Sequence, residues 1–399
     1  MKKNLWSRLL LLALGVLFFF PIVFAQDVRD VINTNNQFAF DLYSRYKSND
    51  GNIFFSPYSI SSALAMTYEG AKGKTAEEIQ SVFHFPKDDS VRRNSFLAIN
   101  NQINKEHEQY ELHTANALWA QKKYSFLEEY LKVIKDYYGG ETRNLDFINE
   151  NGESCRIINS WVEEQTNYKI RNMISSLDRK TRLLITNAVY FKGKWLEQFE
   201  KSDTEKRDFR ISLESIIKVE TMRLSAKEFY YAETDRLQVL ELPYEGKELS
   251  MLIILPKDDD LGTVEISLGS RELSDLERML SREEVDVYLP KFKLETRYFM
   301  SADLVAMGMP TAFGENADFS GMTGEKDLYI SQVIHQAFVN VNEEGTEAAA
   351  ATVVRMGVTG IEAAKIRKVF KADHPFIFLI HDNETGNILF LGRVSNPAK

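Results

Sequence analysis

Apolar residues recur at helical spacing through the first half of the chain and at alternate positions through much of the second half. The helical spacing predicts helices over residues 31–46, 59–69, 126–138 and 157–166. The alternating or short continuous runs predict strands over residues 238–243, 249–256, 285–290, 376–380 and 388–394. Helices grouped ahead of strands favour an α+β fold over alternating units. No linker or internal repeat divides the chain, so length alone leaves one or two domains open.

Two short polar motifs predict where elements begin or turn. Thr75 and Glu78 have the spacing of a capping box, in which the Thr75 hydroxyl is the N-cap of a helix. Gly386 and Asn387 lie between the last two apolar runs and predict a hairpin turn.

The segment over residues 339–358 is compatible with two structures. Its four consecutive alanines favour a helix when the segment is free. The lack of proline before Pro375 also permits a strand, whose side chains alternate between two faces. One face would then be small or apolar and uncharged, carrying Thr346, Ala348, Ala350, Thr352, Val354, Met356 and Val358. The pattern fits a strand with one buried side, and it also fits an alanine-rich surface helix or loop.

The first 25 residues have the composition of a secretion signal. Lys2, Lys3 and Arg8 provide its positive start, an apolar run follows over residues 9–24, and Ala25 provides a cleavage site before Gln26. An uncleaved membrane anchor is the alternative, because the run is long for a signal. We expect a mature chain of residues 26–399, extracellular, or periplasmic in a Gram-negative host, without membrane association.

Charge, cysteine content and motifs exclude several classes of protein. The net charge of −9 disfavours nucleic acid as a partner. The single cysteine, Cys155, forms no internal disulfide, so the apolar core must stabilise the fold. There is no nucleophile elbow or P-loop, and the zincin-like start at His107 has Glu111 where a second histidine is required. We therefore predict no enzyme activity, no cofactor and no metal site.

The stretch over residues 343–352, EEGTEAAAAT, resembles the reactive-loop hinge of inhibitory serpins, a family of serine protease inhibitors. Other stretches resemble the family in the same order along the chain, namely residues 52–60, 186–195, 317–321, 328–335, 374–379 and 389–397. The resemblance covers nearly all of the mature chain. It implies one serpin-type domain over residues 26–399, with about nine helices, three β-sheets and an exposed reactive loop at about residues 343–368.

The resemblance also implies roles for particular residues. The hinge would consist of Glu343, Glu344, Gly345, Thr346, Glu347, Ala348, Ala349, Ala350, Ala351 and Thr352. A polar cluster beneath the central sheet, where strands part, would consist of Ser56, Asn187 and His335. The region where the loop enters the sheet would consist of Trp195, Lys291 and Glu343. We hypothesise an ion pair between Glu343 and Lys291 that controls this region.

By resemblance, the protein is a monomeric suicide substrate that is used once. The serine, or sometimes cysteine, of a protease attacks the loop and forms an acyl-enzyme. The cleaved loop then inserts into the central sheet and traps the protease. In the family the cleaved bond lies about sixteen residues after the first hinge glutamate, roughly 50 Å of extended chain.

That spacing predicts cleavage between Thr359 and Gly360. Counting residues back from Pro375 instead places the cleaved bond near Glu362 or Ala363. Arg355 and Lys365 are alternative cleavage residues for trypsin-like proteases. The small and apolar residues before Gly360 favour an elastase-like or subtilisin-like protease. Two rival functions stay open: a non-inhibitory serpin-fold carrier or chaperone, and a secreted hydrolase.

Overall fold

The structure is a computed structural model that describes residues 5–104, 109–258, 261–346 and 367–399, with side chains from residue 26 onward. The helices are α1 Leu5–Tyr46, α2 Pro57–Glu69, α3 Gly73–Phe83, α4 Asp89–Ile103, α5 Glu128–Val133, α6 Asn151–Gln165, α7 Leu261–Ser267, α8 Ser270–Met279, α9 Ser301–Met307 and α10 Ser320–Thr323. A π-helical turn, Ile134–Tyr138, continues α5, and 3-10 turns cover Lys201–Asp203 and Pro310–Phe313.

Fifteen strands are present in the described residues. They are β1 Ile53–Phe55, β2 Tyr110–Gln121, β3 Glu141–Leu145, β4 Leu183–Lys194, β5 Glu205–Ser212, β6 Ser215–Glu233, β7 Leu237–Pro243, β8 Leu249–Pro256, β9 Ser281–Pro290, β10 Phe292–Phe299, β11 Ile330–Asn342, β12 Gly345–Thr346, β13 Lys368–Lys371, β14 Phe376–Asp382 and β15 Ile388–Val394. Every helix and strand predicted from the apolar pattern is present. The predicted hairpin also forms, with Gly386 at φ 72° between the antiparallel strands β14 and β15.

The strands form two hydrogen-bonded sheets in the described part of the chain. The six-stranded central sheet has the order β10-β11-β12-β4-β2-β3. The nine-stranded sheet has the order β1-β15-β14-β8-β7-β6-β9-β13, with β5 beside β6. Helix α2 is almost wholly buried and contacts both β4 of the central sheet and β15 of the other.

The resemblance implied three sheets, and the long strand β6 explains why two are found. Its first half pairs with β5 and its second half with β7, so it joins two layers that would otherwise be separate. The pairing of β6 with β9 shifts register between Leu224 and Lys227, where Ala226 has φ 54°. This irregularity lets one strand turn from one layer into the next.

The predicted capping box at Thr75 is wrong. Helix α3 begins earlier, at Gly73, so Thr75 lies within the helix. The Thr75 hydroxyl accepts a hydrogen bond from the backbone N–H of Asp318 at 2.9 Å. The Glu78 carboxylate accepts hydrogen bonds from Thr311, through its N–H and its hydroxyl, each at 2.8 Å. The Thr75 hydroxyl and the Glu78 carboxylate therefore bind residues distant in sequence and do not cap the start of the helix.

Within the residues whose side chains are described, no helix combines the length and the hydropathy that a membrane span requires.

Candidate functional site

The most distinctive feature of the central sheet is the boundary between β4 and β11, which we call the seam. The two strands pair in parallel from Leu183 with Ile330 up to Tyr190 with Phe338. Beyond this point β12 lies between them and is antiparallel to both. Thr346 of β12 faces Val341 on one side and Gly193 on the other. The first hinge residues therefore already occupy one end of the seam.

A glycine is required where the chain turns into the seam. Gly345 has φ 151°, a conformation that side-chain-bearing residues rarely adopt. A Cβ atom at this position would overlap the carbonyl oxygen of Gly193 on the adjacent strand. The hinge thus enters the sheet at a position where the two backbones approach too closely for any other residue.

Thr346 is fully buried and contacts Tyr244. Tyr244 lies in the turn between β7 and β8 of the nine-stranded sheet. The Oγ1 of Thr346 lies 2.8 Å from the hydroxyl oxygen of Tyr244. The ring of Tyr244 stacks on Trp195 with centroids 4.6 Å apart. The indole Nε1 of Trp195 donates to the carbonyl oxygen of Asn342 at 3.0 Å. These contacts fix both the end of β11 and the start of β12.

Glu343 is the charged residue at the turn between β11 and β12. Its Oε1 lies 3.2 Å from Lys291 Nζ and accepts a hydrogen bond from Thr204 Oγ1 at 2.9 Å. Burial alone would raise the pKa of Glu343. Hydrogen bonds from a backbone N–H, Thr204 and Lys291, together with the Lys291 charge, outweigh burial and hold the pKa below its usual value. The carboxylate is therefore kept ionised and paired.

The loop that follows β4 fastens the other side of the same turn. The backbone N–H of Trp195 donates to Glu344 O at 3.0 Å, and that of Phe199 donates to Glu343 O at 2.9 Å. The Glu344 side chain pairs with Lys201 at 2.8 Å. The predicted loop-insertion residues Trp195, Lys291 and Glu343 thus lie together, and the hypothesised Glu343–Lys291 ion pair is present.

Farther along the seam, a buried polar cluster joins β4 to β11. His335 of β11 lies directly opposite Asn187 of β4, and its Nδ1 donates to Asn187 Oδ1. Its Nε2 accepts the backbone N–H of Ser56 at 3.2 Å, so the neutral ring carries its proton on Nδ1. Complete burial lowers the pKa of His335 to about 3. The three predicted residues therefore do meet at the seam.

Two further members of the cluster were not predicted from the sequence. The Asn187 Nδ2 donates to Ser59 O at 3.0 Å and to Asn116 Oδ1 on β2. Ser59 Oγ lies 3.4 Å from the same Asn116 oxygen. A polar residue between Ala115 and Ala117 in a buried strand was the only sequence signal for Asn116. The cluster therefore extends from the seam across β4 to the neighbouring strand.

The described structure changes one prediction and leaves others outside its range. Residues 343–346 were predicted as part of an exposed loop, but all four are buried, because they turn into the seam as described above. At the other end Lys368 already pairs with Val285 as part of β13. The hinge residues Glu347, Ala348, Ala349, Ala350, Ala351 and Thr352 and all proposed cleavage positions, Arg355, Thr359, Gly360, Glu362, Ala363 and Lys365, lie outside the described residues.

Comparison with known proteins gives consistent matches over almost the whole chain. The family model described as serpin (serine protease inhibitor) matches residues 33–397. An uncharacterized serpin-like protein of Thermococcus kodakarensis is 46% identical over 92% of this chain and 86% of its own length. Human leukocyte elastase inhibitor is 40% identical over 92% of this chain and 99% of its own length. The crystal structure of human thyroxine-binding globulin superposes with a TM-score of 0.85 at 33% identity, covering 93% of this chain and 99% of that one.

Proposed function

Because this chain belongs to the serpin family, we propose that it is a secreted inhibitor of serine proteases that is consumed in a single reaction. One observation carries the proposal: β12 lies in the seam between two parallel strands and is antiparallel to both. A parallel pair of neighbours can accept an intervening antiparallel strand along its whole length. The leader over residues 1–25 supports secretion.

The register of β12 predicts where each later residue would lie after cleavage. Each step forward along the inserted strand moves one residue back on both β4 and β11. The two registers agree, since both place Thr352 between His335 and Asn187, which pair with each other in the present structure. Insertion therefore has to break the His335–Asn187 hydrogen bond and put a threonine in its place. Thr352 shares a face with Thr346, the buried side of the strand.

The same register constrains the reactive bond. Arg355 would lie opposite Gln332 and Leu184, still within the paired part of the seam. A protease attached there would have to be carried inside the sheet, so Arg355 is a poor reactive residue. The seam ends at Leu183 and Ile330, opposite residues 356–357. A bond between Thr359 and Gly360 lies just past this end, where a bound protease would be pulled against the body of the inhibitor.

The target is expected to be an elastase-like or subtilisin-like serine protease. A Val358–Thr359 sequence before the bond suits a small apolar specificity pocket, and a relative of similar length is named an inhibitor of leukocyte elastase. A bond at Glu362, Ala363 or Lys365 would leave a longer tether beyond the sheet and a looser hold on the protease.

The test is to mix the mature protein with pancreatic elastase, subtilisin, trypsin and papain. We expect an SDS-resistant complex with at least one serine protease and a released C-terminal peptide that begins at Gly360. A matched control is Thr346→Arg, because the buried site beside Tyr244 cannot hold an arginine. This variant should be cut at the same bond without forming the complex. Cleavage without a complex in the unaltered protein as well would contradict the proposal.

The rival function is that of a non-inhibitory carrier. The structural neighbour thyroxine-binding globulin is described as a complex with thyroxine, so a protein of this fold can bind a small ligand. If the unaltered protein, whose hinge is intact, forms a complex with none of the four proteases, the result favours the carrier function.

A further inference from the structure

The connection between β13 and β14 contains a buried histidine that has no part in the proposed inhibition. His374 has 8% of its side chain exposed. Its Nε2 lies 2.6 Å from the carbonyl oxygen of Pro256, the last residue of β8. Its Nδ1 lies 2.9 Å from Oδ1 of the preceding residue, Asp373. The ring therefore joins the end of β13 to a strand in the interior of the nine-stranded sheet.

Both contacts of the His374 ring are with hydrogen-bond acceptors, a carbonyl oxygen and a carboxyl oxygen. A neutral imidazole has one N–H donor, so its other nitrogen would direct a lone pair at the second oxygen. In the imidazolium both ring nitrogens donate, and both contacts are then hydrogen bonds to a charged group. The geometry therefore fits the protonated ring.

Asp373 is held as a carboxylate, so it does not supply the proton that a neutral His374 ring would lack. Its Oδ2 lies 2.6 Å from Lys371 Nζ. Burial alone would raise the pKa of Asp373, but hydrogen bonds from His374 and Lys371, together with their positive charges, lower it to about 2. The contact between His374 and Asp373 is therefore an ion pair as well as a hydrogen bond.

Among the charged groups on the described elements around His374, the imidazole is the one expected to titrate between pH 6.5 and 9. Carboxylates are ionised throughout this range, and lysine and arginine side chains keep their charge. The charged residues on these elements are Arg210 on β5, Glu233 on β6, Arg236 before β7, Lys257 after β8, Glu284 and Asp286 on β9, and Lys368 and Lys371 on β13. A pH-dependent change in this range would therefore report the proton on the His374 ring.

The contacts of His374 matter because β13 is a short strand at the edge of the sheet. It has four residues, pairs with β9, and its ion pairs involve partly exposed side chains, which contribute little. After the strand, the N–H of Ala372 donates to β9, and the N–H of Arg210 on β5 donates to Asp373 O at 2.8 Å. A neutral His374 would leave one buried acceptor without its hydrogen bond, which should loosen this connection and the strand before it.

We propose that His374 is protonated at neutral pH and keeps β13 attached to β8, and that loss of this proton at mildly alkaline pH releases β13. The attachment can be measured with no protease present, so it is independent of the proposed function. Its consequence rests on that function, because β13 holds the far end of residues 347–366. Release of β13 should let the uncleaved segment enter the seam, so that the protein loses its inhibitory activity without meeting a protease.

The protonation state is measured by NMR on the mature protein labelled with nitrogen-15 in its histidines. The two ring nitrogens of an imidazolium have similar chemical shifts, whereas those of a neutral ring differ widely. At about pH 7.5 we expect the imidazolium pattern for His374 and the neutral pattern for buried His335, which serves as the internal control. The His374 signal is identified by its loss in His374→Gln. A neutral His374 at this pH, or an imidazolium that persists at about pH 9, would overturn the proposal.

Release of β13 is measured by amide hydrogen exchange of Ala372 and Arg210, corrected for the intrinsic exchange rate at each pH. From pH 6.5 to 9 the protection should fall about tenfold, the effect of losing one hydrogen bond to a charged group. His374→Arg is the matched variant, because arginine keeps its charge and has several donors for Asp373 and Pro256. Its protection should not depend on pH, whereas that of His374→Gln should be low throughout. The same fall in the unaltered protein and His374→Arg, or no fall in either, would overturn the proposal.

The consequence for inhibition has a separate test. Intact protein is incubated at pH 6.5 and at pH 9, and the fraction that melts at a higher temperature without being cleaved is followed over time. Conversion should be about tenfold faster at pH 9 in the unaltered protein and independent of pH in His374→Arg. A pH-dependent exchange with an unchanged conversion rate would overturn the link to the seam. The absence of protease complexes would contradict the proposed function and would leave the NMR and exchange results as they are.

Discussion

The hydroxyl of Tyr244 lies 2.8 Å from the Oγ1 of Thr346, and both side chains are fully buried. The contact ties Thr346 of the inserted strand β12 to the turn between β7 and β8 of the nine-stranded sheet. Removing the hydroxyl in Tyr244→Phe leaves Thr346 Oγ1 buried without its partner, which should lower the free energy of unfolding by about 1–3 kcal/mol. Urea unfolding measures this change.

A second substitution serves as the control for that prediction. Thr346→Val in the Tyr244→Phe background removes both polar groups and should recover most of the lost stability. If the double variant is as unstable as Tyr244→Phe alone, or if Tyr244→Phe loses no stability, the contact does not hold the hinge.

Glu343→Lys should promote polymerisation. The change replaces a buried carboxylate by an ammonium next to Lys291, so an attractive contact at the turn becomes a repulsive one. Size-exclusion chromatography after mild heating measures the loss of monomer. The exchange Glu343→Lys with Lys291→Glu should restore much of the monomer.

Glu220→Lys is the matched control, because Glu220 also lies near Lys291, at 3.3 Å, but is largely exposed. Its effect should be small, as is usual for exposed ion pairs. If the Glu343→Lys protein stays monomeric and fully inhibitory, the Glu343–Lys291 ion pair does not control polymerisation.

Gly345→Ala should drive the hinge out of the seam. The added methyl group would overlap Gly193 O, and the φ of 151° would be strained for alanine. The amides of Trp195 and Phe199 donate to Glu344 and Glu343, so we expect their hydrogen exchange to become faster. Gly152→Ala in α6 is the control, because a Cβ atom added at Gly152 would meet no other atom within 4 Å. Unchanged exchange at Trp195 in Gly345→Ala would contradict the close approach described here.

His335 should make stability depend on pH. The unfolded histidine takes up a proton below pH about 6.5, whereas burial lowers the pKa in the folded protein to about 3. The unfolded state therefore binds more protons in this window, and the free energy of unfolding falls as the pH drops. The full slope for one such histidine is about 1.4 kcal/mol per pH unit.

The measurement is urea unfolding between pH 6.5 and 5.0. His335→Gln should flatten the dependence relative to the unaltered protein. Identical slopes in the unaltered protein and His335→Gln would mean that the imidazole is not held neutral at the seam.

The hinge shows which parts of such a site can be predicted from sequence. The pairing of Glu343 with Lys291 and the meeting of Ser56, Asn187 and His335 followed from motifs of a known family. Tyr244 and Asn116 were missed, because each acts through a contact with a distant strand whose register the local pattern does not specify. For the same reason Thr75 was assigned to a helix cap, although Asp318 takes its hydroxyl.

The most direct test of the account is the melting temperature before and after cleavage of the segment 347–366, which lies between β12 and β13. If the cleaved strand fills the seam in the register of β12, about ten residues gain hydrogen-bonded neighbours, and the melting temperature should rise by more than about 10 °C. The Thr346→Arg protein, cleaved in the same way, should show no such rise. An unchanged melting temperature in the cleaved unaltered protein, together with proteolysis of residues 347–356 after cleavage, would contradict insertion and the inhibitory mechanism that depends on it.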